Sequence, residues 1–257
     1  MNRDTLYQAL SVGVLVGLWQ LVLHLELVHA AVLPAPTTIL ASTVALLGDG
    51  EFLRHFSTSM TRTVVAGGVA VMSGTVIGLA MGWNTTVRAL LQPPISALYP
   101  LPVIALLPLL VLAFGSSETA LVFTAAFGGF FLVVSNAKNG ATRIEQVYLD
   151  AARDNGATST YQLFREVLLP GSLPLLFTGV RLGVSTSFLI VISVELIAGG
   201  EGLGYLMWVA WNTYALEELY GTIVVIGLVG VAITYGLEYL QHRLVPWTGG
   251  STGGSFI

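Results

Sequence analysis

The stretch TVVAGGVAVMSGTVIGLAMGWNTTV, from Thr63 to Val87, carries no ionisable side chain. A helix crosses the hydrocarbon core of a bilayer with about 20 apolar residues, so this run alone is long enough to span. Working outward, comparable runs cover 5–25 (apart from His24), 89–117, 119–137 and 219–237. A further stretch, Leu173 to Ala198, is apolar except for Arg181 and Glu195. Backbone groups in lipid must be satisfied internally, and the runs show no period-2 alternation, so a helical bundle is expected and a β-barrel is not. The reading is all-α: a polytopic bundle with six transmembrane helices at about 6–28, 63–83, 89–114, 118–137, 173–198 and 219–240.

Composition agrees. Of 257 residues, 54% are hydrophobic and 9% charged, and the mean hydropathy is +0.81, whereas soluble domains carry roughly a quarter charged residues. A formal net charge of −4 excludes a nucleic-acid binder, and the absence of cysteine excludes disulfides and thiolate metal sites. The first run could be a secretory signal, with Val28-His29-Ala30 as a cleavage site, but its apolar part exceeds the core of such signals and it reads as a retained helix.

Lys and Arg concentrate in cytoplasmic loops. With a cytoplasmic N-terminus, the inner side holds Arg3, Arg88, Lys138, Arg143, Arg153, Arg165 and Arg243, and the outer side Arg54 and Arg62. Both termini are therefore expected in the cytoplasm of a plasma-membrane protein. On the outer side, Leu33-Pro34-Ala35-Pro36-Thr37 makes an extended turn before a short helix from Thr38 to Leu47, capped by Thr37 or Thr38. Gly74, Gly78 and Gly82, and the pairs Gly13/Gly17 and Gly179/Gly183, allow close backbone approach within one subunit or between two. Pro93, Pro94, Pro100, Pro102 and Pro108 rule out a straight third span. Broken backbone at membrane depth survives where it is buried or lines a watery cavity, which points to the transport pathway or to a kinked structural helix.

The long cytoplasmic segment 138–170 reads as a helix-turn-helix. Thr142 to Glu145 has a capping-box pattern, Gly156 supplies a left-handed end, Ser159 to Gln162 is a second capping box, and Pro170 is expected to stop the second helix. Residues 1–247 form one domain, followed by a flexible Gly/Ser/Thr tail at 248–257. No catalytic or metal-binding pattern stands out: Lys138 is in no P-loop, and the four histidines lack zinc spacing and read as structural or interfacial. Arg181 and Glu195 lie within a span, where ionisable groups are functional candidates. Alternatively Arg181 snorkels inward and Glu195 is wetted at the outer end.

Asp150-Ala151-Ala152-Arg153-Asp154-Asn155-Gly156, followed by Phe164 and Leu169-Pro170, resembles the Glu-Ala-Ala loop of ABC importer permeases. Asp150 departs from the usual Glu, and the spacing from Gly156 to Phe164 is one residue longer than the family pattern. Leu33 to Pro36, Tyr99-Pro100-Leu101-Pro102, Leu173-Pro174 to Gly183, and Glu195 to Ala198 leading into Gly202-Leu203-Gly204-Tyr205 are similar to the nitrate/sulfonate/taurine group of that family. The resemblance implies a dimeric permease that docks two cytoplasmic ATPase subunits and receives a small solute, most simply an anion, from an external binding protein. Asp150, Ala151, Ala152, Arg153, Gly156, Phe164, Leu169 and Pro170 would form the ATPase contact. Pro100, Pro102, Arg181, Glu195, Gly202 and Gly204 would belong to the pathway or gate. ATP and Mg would bind the partner rather than this chain. A thiamine precursor or other heterocycle is the alternative cargo, and a secondary transporter or channel the alternative class.

Overall fold

A computed structural model describes residues 3–29, 32–115 and 118–248, so Ala30, the end of the alternative cleavage motif, and the glycine-rich tail from 249 onward lie outside the described residues. The described elements are helical: α1 (Arg3–His24), α2 (Pro36–Leu47), α3 (Gly50–Trp83), α4 (Thr85–Leu98), α5 (Leu107–Phe114), α6 (Glu118–Thr142), α7 (Gln146–Asp154), α8 (Thr160–Leu163), α9 (Leu169–Ala198), α10 (Leu203–Asn212) and α11 (Leu216–Leu244).

The core is built by α3, α6 and α9, and glycine decides how closely they pack. A Cβ on Gly74, Gly78 or Gly82 of α3 would stand 2.7, 2.6 or 2.3 Å from Val133, Ala137 or Ala141 of α6. On α9, a Cβ at Gly179 or Gly183 would stand 2.6 Å from Asn136 or Val133. Helix α6 is thus pressed from two sides, and these glycines serve packing within the subunit. Gly13 and Gly17 meet nothing within 4 Å. The resulting dry contacts join Leu79, Val133, Ala137, Leu168 and Leu176 in one cluster and Ala66, Ala125, Val191 and Val194 in another.

The expected six spans are not all present as separate long helices. Four helices, Gly50–Trp83, Glu118–Thr142, Thr160–Ala198 and Leu216–Leu244, are long and apolar enough to cross a bilayer, and a fifth crossing exists if α4 and the segment Val103–Phe114 count as one. That pair bends by 88°, as the prolines require. In α1 the apolar part is the shorter Gly13–His24. Helix α3 begins well before the expected boundary, at Gly50, with Asp49 accepting from the Glu51 N–H. Arg54 and Arg62 therefore stand on a helix and not in an outer loop.

Local punctuation differs at three further points. Helix α2 starts at Pro36 with Ala35 as its cap residue, because proline already fits the first helical position, and no threonine side chain caps it. Thr142 closes α6, its hydroxyl donating to the Lys138 carbonyl, and α7 starts after Glu145 without a side-chain cap. Pro170 does not stop its helix: the Leu169 N–H donates to the Phe164 carbonyl in a π-turn over Phe164–Leu168, and the wider turn carries the chain past the proline. Thr160–Ala198 is consequently one 39-residue rod. At the end of α3, Arg88 donates to the carbonyls of Met81 and Gly82, satisfying terminal acceptors.

Gly78→Leu should lower unfolding stability in detergent by about 3 kcal/mol or more through overpacking. Gly68→Ala, where a Cβ meets nothing within 4 Å, should leave it unchanged; thermal unfolding followed by circular dichroism compares the two.

Candidate gate cluster and coupling loop

Glu195, three residues before the end of α9, has no exposed surface. Its carboxylate oxygens lie 2.9 and 2.7 Å from the Ser59 hydroxyl, 2.8 Å from Arg62 Nη1 and 3.1 Å from the Gly204 N–H. The wetted-end reading of Glu195 is therefore overturned. Arg62 also donates through Nε to Glu118 at 2.7 Å, through Nη2 to the other Glu118 oxygen, and through Nη1 to the Glu201 carbonyl at 2.7 Å. One guanidinium fork thus ties α3 to α6, to α9 and to the loop before α10.

The same loop is held by two more bonds. Ser59 Oγ accepts from the Leu203 N–H at 2.8 Å, and His55 Nδ1 accepts from the Gly202 N–H at 2.9 Å. Arg54 pairs with Glu201 at the rim. Gly202 has φ of +114°, and a Cβ there would stand 2.2 Å from the Glu195 carboxyl carbon; at Gly204 it would stand 2.1 Å from the Ile192 carbonyl. Only glycine lets this backbone lie on a buried carboxylate. The result is that α10, unexpected within what reads as a loop, is docked with Leu203 fully buried.

Gly202 and Gly204 thus lie against Glu195, while Arg181, Pro100 and Pro102 lie elsewhere. Arg181, half-buried, lies 3.5 Å from Glu238 of α11. Fourteen residues on one helix separate it from Glu195 by roughly 21 Å. Pro100 and Pro102 are exposed at the bend after α4. The side chains that complete the cluster, His55, Ser59, Arg62 and Glu118, escape a reading of spans and loops. The available signal was that a carboxylate inside a span requires a cation on a neighbouring helix.

At the opposite end, α7 has no buried residue. Asp150 accepts from Gln146 at 3.0 Å and from Arg153 at 2.7 Å, so its charge is met on its own helix, and Asp150, Ala151 and Arg153 are exposed. Gly156 has φ of +99°, and Ser159 and Gln162 form the reciprocal capping box that opens α8. Ala152 is half-buried, with its carbonyl accepting from the Ala157 N–H. Phe164 does not face outward: its ring meets Trp83 edge-on at 6.5 Å, and with half-buried Leu169 it packs on the cluster of Leu79 and Leu168. Pro170 is half-buried beside it. The segment therefore divides into an exposed helix and an anchor that roots it in the core.

Gly202→Ala should lower the thermal unfolding midpoint by several degrees, because it combines a left-handed backbone with a collision against Glu195. Gly200→Ala, two residues away with nothing within 4 Å, should not move it.

The model of the family "binding-protein-dependent transport system inner membrane component" matches residues 74–250. The taurine transport system permease protein TauC of Escherichia coli is 35% identical over 97% of this chain and 92% of its own length. The nitrate import permease protein NrtB of Synechocystis is 27% identical, covering 93% of this chain and 88% of its own. The putative aliphatic sulfonates transport permease protein SsuC of Bacillus subtilis is 28% identical, covering 91% and 85%. Among solved structures, the inward-facing MetNI methionine ABC transporter superposes with a TM-score of 0.66 at 20% identity, covering 75% of this chain and 95% of that one, which speaks to the fold. A core of α3, α6 and α9, a broken proline-rich segment and a family match over most of the chain converge, and the chain belongs to the binding-protein-dependent transport system inner membrane components, as the non-catalytic, multi-pass permease subunit of an ABC importer.

Proposed function

We propose that two copies of this permease form the translocation unit, that each docks an ATPase subunit through α7 on the cytoplasmic side, and that the cargo is a small anion delivered by an external binding protein. The continuity of the rod from Thr160 to Ala198 carries this reading. Helix α7 is exposed, is turned out of the bundle by Gly156, and leads through the Ser159 cap into that rod. At the far end the rod carries Glu195 and, through it, the Gly202–Gly204 loop and α10. A displacement of α7 by a closing ATPase pair reaches the outer end without crossing a flexible joint.

Chemistry at the docking surface supports the same reading. Ala151 is small and exposed, so a partner surface can approach the α7 backbone, while Asp150 and Arg153 rim the contact as a mutually satisfied pair. ATP and Mg belong to the partner, and both termini of the permease face the cytoplasm. For cargo, the relatives carry the names taurine, nitrate and aliphatic sulfonates. These share a compact oxyanion group, and none of them favours a thiamine precursor or other heterocycle.

Gly156→Val tests the docking role. A branched side chain in the left-handed region costs more than about 1 kcal/mol, so the α7–α8 turn should distort while the spans, which lie elsewhere, still insert. The variant should reach normal membrane levels, recover less ATPase in pull-down and lose transport. Ser159→Ala, which loses a cap worth about 1 kcal/mol, should retain most of both. Wild-type ATPase recovery and transport by Gly156→Val contradict the assignment.

A further inference from the structure

Helix α4 packs on α3, and two side-chain contacts with a matched, antiparallel spacing join it to α6. Tyr99, at the end of α4, meets Phe131 edge-on at 6.0 Å, while Gln92 Oε1 accepts from Lys138 Nζ at 2.9 Å. Both pairs are seven residues apart on each helix, so one face of each helix makes both contacts. Phe123 and Phe127 continue that face of α6 toward the Glu195 end, with ring centroids 6.2 Å apart and Phe127 a further 4.8 Å from Phe131. Phe123 also borders a cavity of about 670 Å³ shared with Arg62 and Glu118. An aromatic row therefore runs from that cavity to Phe131 and Tyr99, over roughly 12 Å of helix, and Lys138 stands about 10 Å further along α6.

The two ends of this face of α6 differ in charge. Arg62 is matched by two carboxylates, Glu118 and Glu195, so its end is net negative. Lys138 is the one cation on α6, and none of the described ion pairs includes it. Its described partner is a neutral amide oxygen, which uses one of three N–H donors. Gln92 Nε2 in turn donates to Ser96 Oγ at 2.8 Å, and the Ser96 side is exposed. Nearby Arg88 is committed to the carbonyls that end α3. Among the described residues the cluster thus has an ammonium without a carboxylate partner, two further N–H donors and a hydroxyl beside helix α4, which has no buried residue.

We infer that Lys138, Gln92 and Ser96 form an oxyanion site at the loop end of the α4–α6 contacts, where cargo leaving the aromatic step regains a counter-charge before release. The inference rests on the reading of this chain as an importer of small anions, and it assigns Lys138 as the cationic contact and Ser96 as a hydroxyl donor. The aromatic row offers an oxyanion no full charge, so the ammonium beyond it supplies a downhill step in the direction of import.

The chain has no cysteine, so Ser96→Cys in the reconstituted permease–ATPase complex gives a single reporter. Its modification rate is measured with a sulfonate-bearing methanethiosulfonate and with the trimethylammonium counterpart, with and without ethanesulfonate. The ratio of sulfonate to trimethylammonium rates should fall about tenfold on adding Lys138→Gln, as expected for removing one charge at close range, and should be kept by Lys138→Arg. Ethanesulfonate should slow labelling when Lys138 is present and have no effect in Lys138→Gln. An unreactive cysteine, an unchanged ratio, or absence of protection by ethanesulfonate overturns the site. Pull-down of the ATPase by the same variants reads the importer assignment separately: normal recovery with a failed ratio rejects the site alone, and lost recovery in the wild-type complex rejects the underlying reading.

Discussion

A carboxylate with no solvent contact must be discharged or paired, and Glu195 is paired with Arg62 across two helices. The idealised cost of moving such an ion out of water is of order 20 kcal/mol, and several kcal/mol remain after relaxation. Arg62 offsets part of this, and the Ser59 hydroxyl and the Gly204 N–H meet the remaining lone pairs. A buried pair of this kind is weak evidence for stability, since apolar residues can fill the same volume at less cost. Its consequence is geometric: the loop from Glu201 to Gly204 has one way to lie, and α10 is fixed by it.

That constraint gives the long rod a meaning at both ends. The glycine contacts of α3 and α9 on α6 set the spacing that brings Ser59 and Arg62 within reach of Glu195. At the other end the π-turn keeps the rod continuous through Pro170, so that α8, capped by Ser159, is rigidly connected to the membrane helix. The anchor formed by Phe164 against Trp83 makes α7 an extension of the core. The contacts of Tyr99 and Gln92 with α6 belong to a different part of the fold, built from the segment that proline breaks.

The helical class and the apolar runs at 63–83, 119–137 and 219–237 were legible because lipid permits few alternatives to a helix. Gly156 and the Ser159–Gln162 box were legible because turn and cap chemistry is local. The start of α3 at Gly50 was not, because Arg54 and Arg62 look like loop residues until their carboxylate partners, Glu201 and Glu118, are placed by the fold. Helix α10 escaped for a related reason: its docking depends on backbone donors at Gly202, Leu203 and Gly204 that sequence does not distinguish. The expected stop at Pro170 failed because a one-residue widening of the turn, which lets the helix pass the proline, is a cooperative adjustment of the whole helix. Glu195 was visible as an anomaly, and its partner was not.

The measurement that bears most directly on this account is a thermodynamic cycle of Arg62→Met and Glu195→Leu, read as unfolding free energy of the purified permease. The account predicts an asymmetric and non-additive result. Arg62→Met strands a fully buried carboxylate and should cost about 3–5 kcal/mol, while Glu195→Leu leaves the guanidinium with Glu118 and should cost less. Adding Glu195→Leu to Arg62→Met should restore stability. Additive losses, with the double variant the least stable of the set, would contradict the claim that this pair is one buried unit on which the outer loop depends.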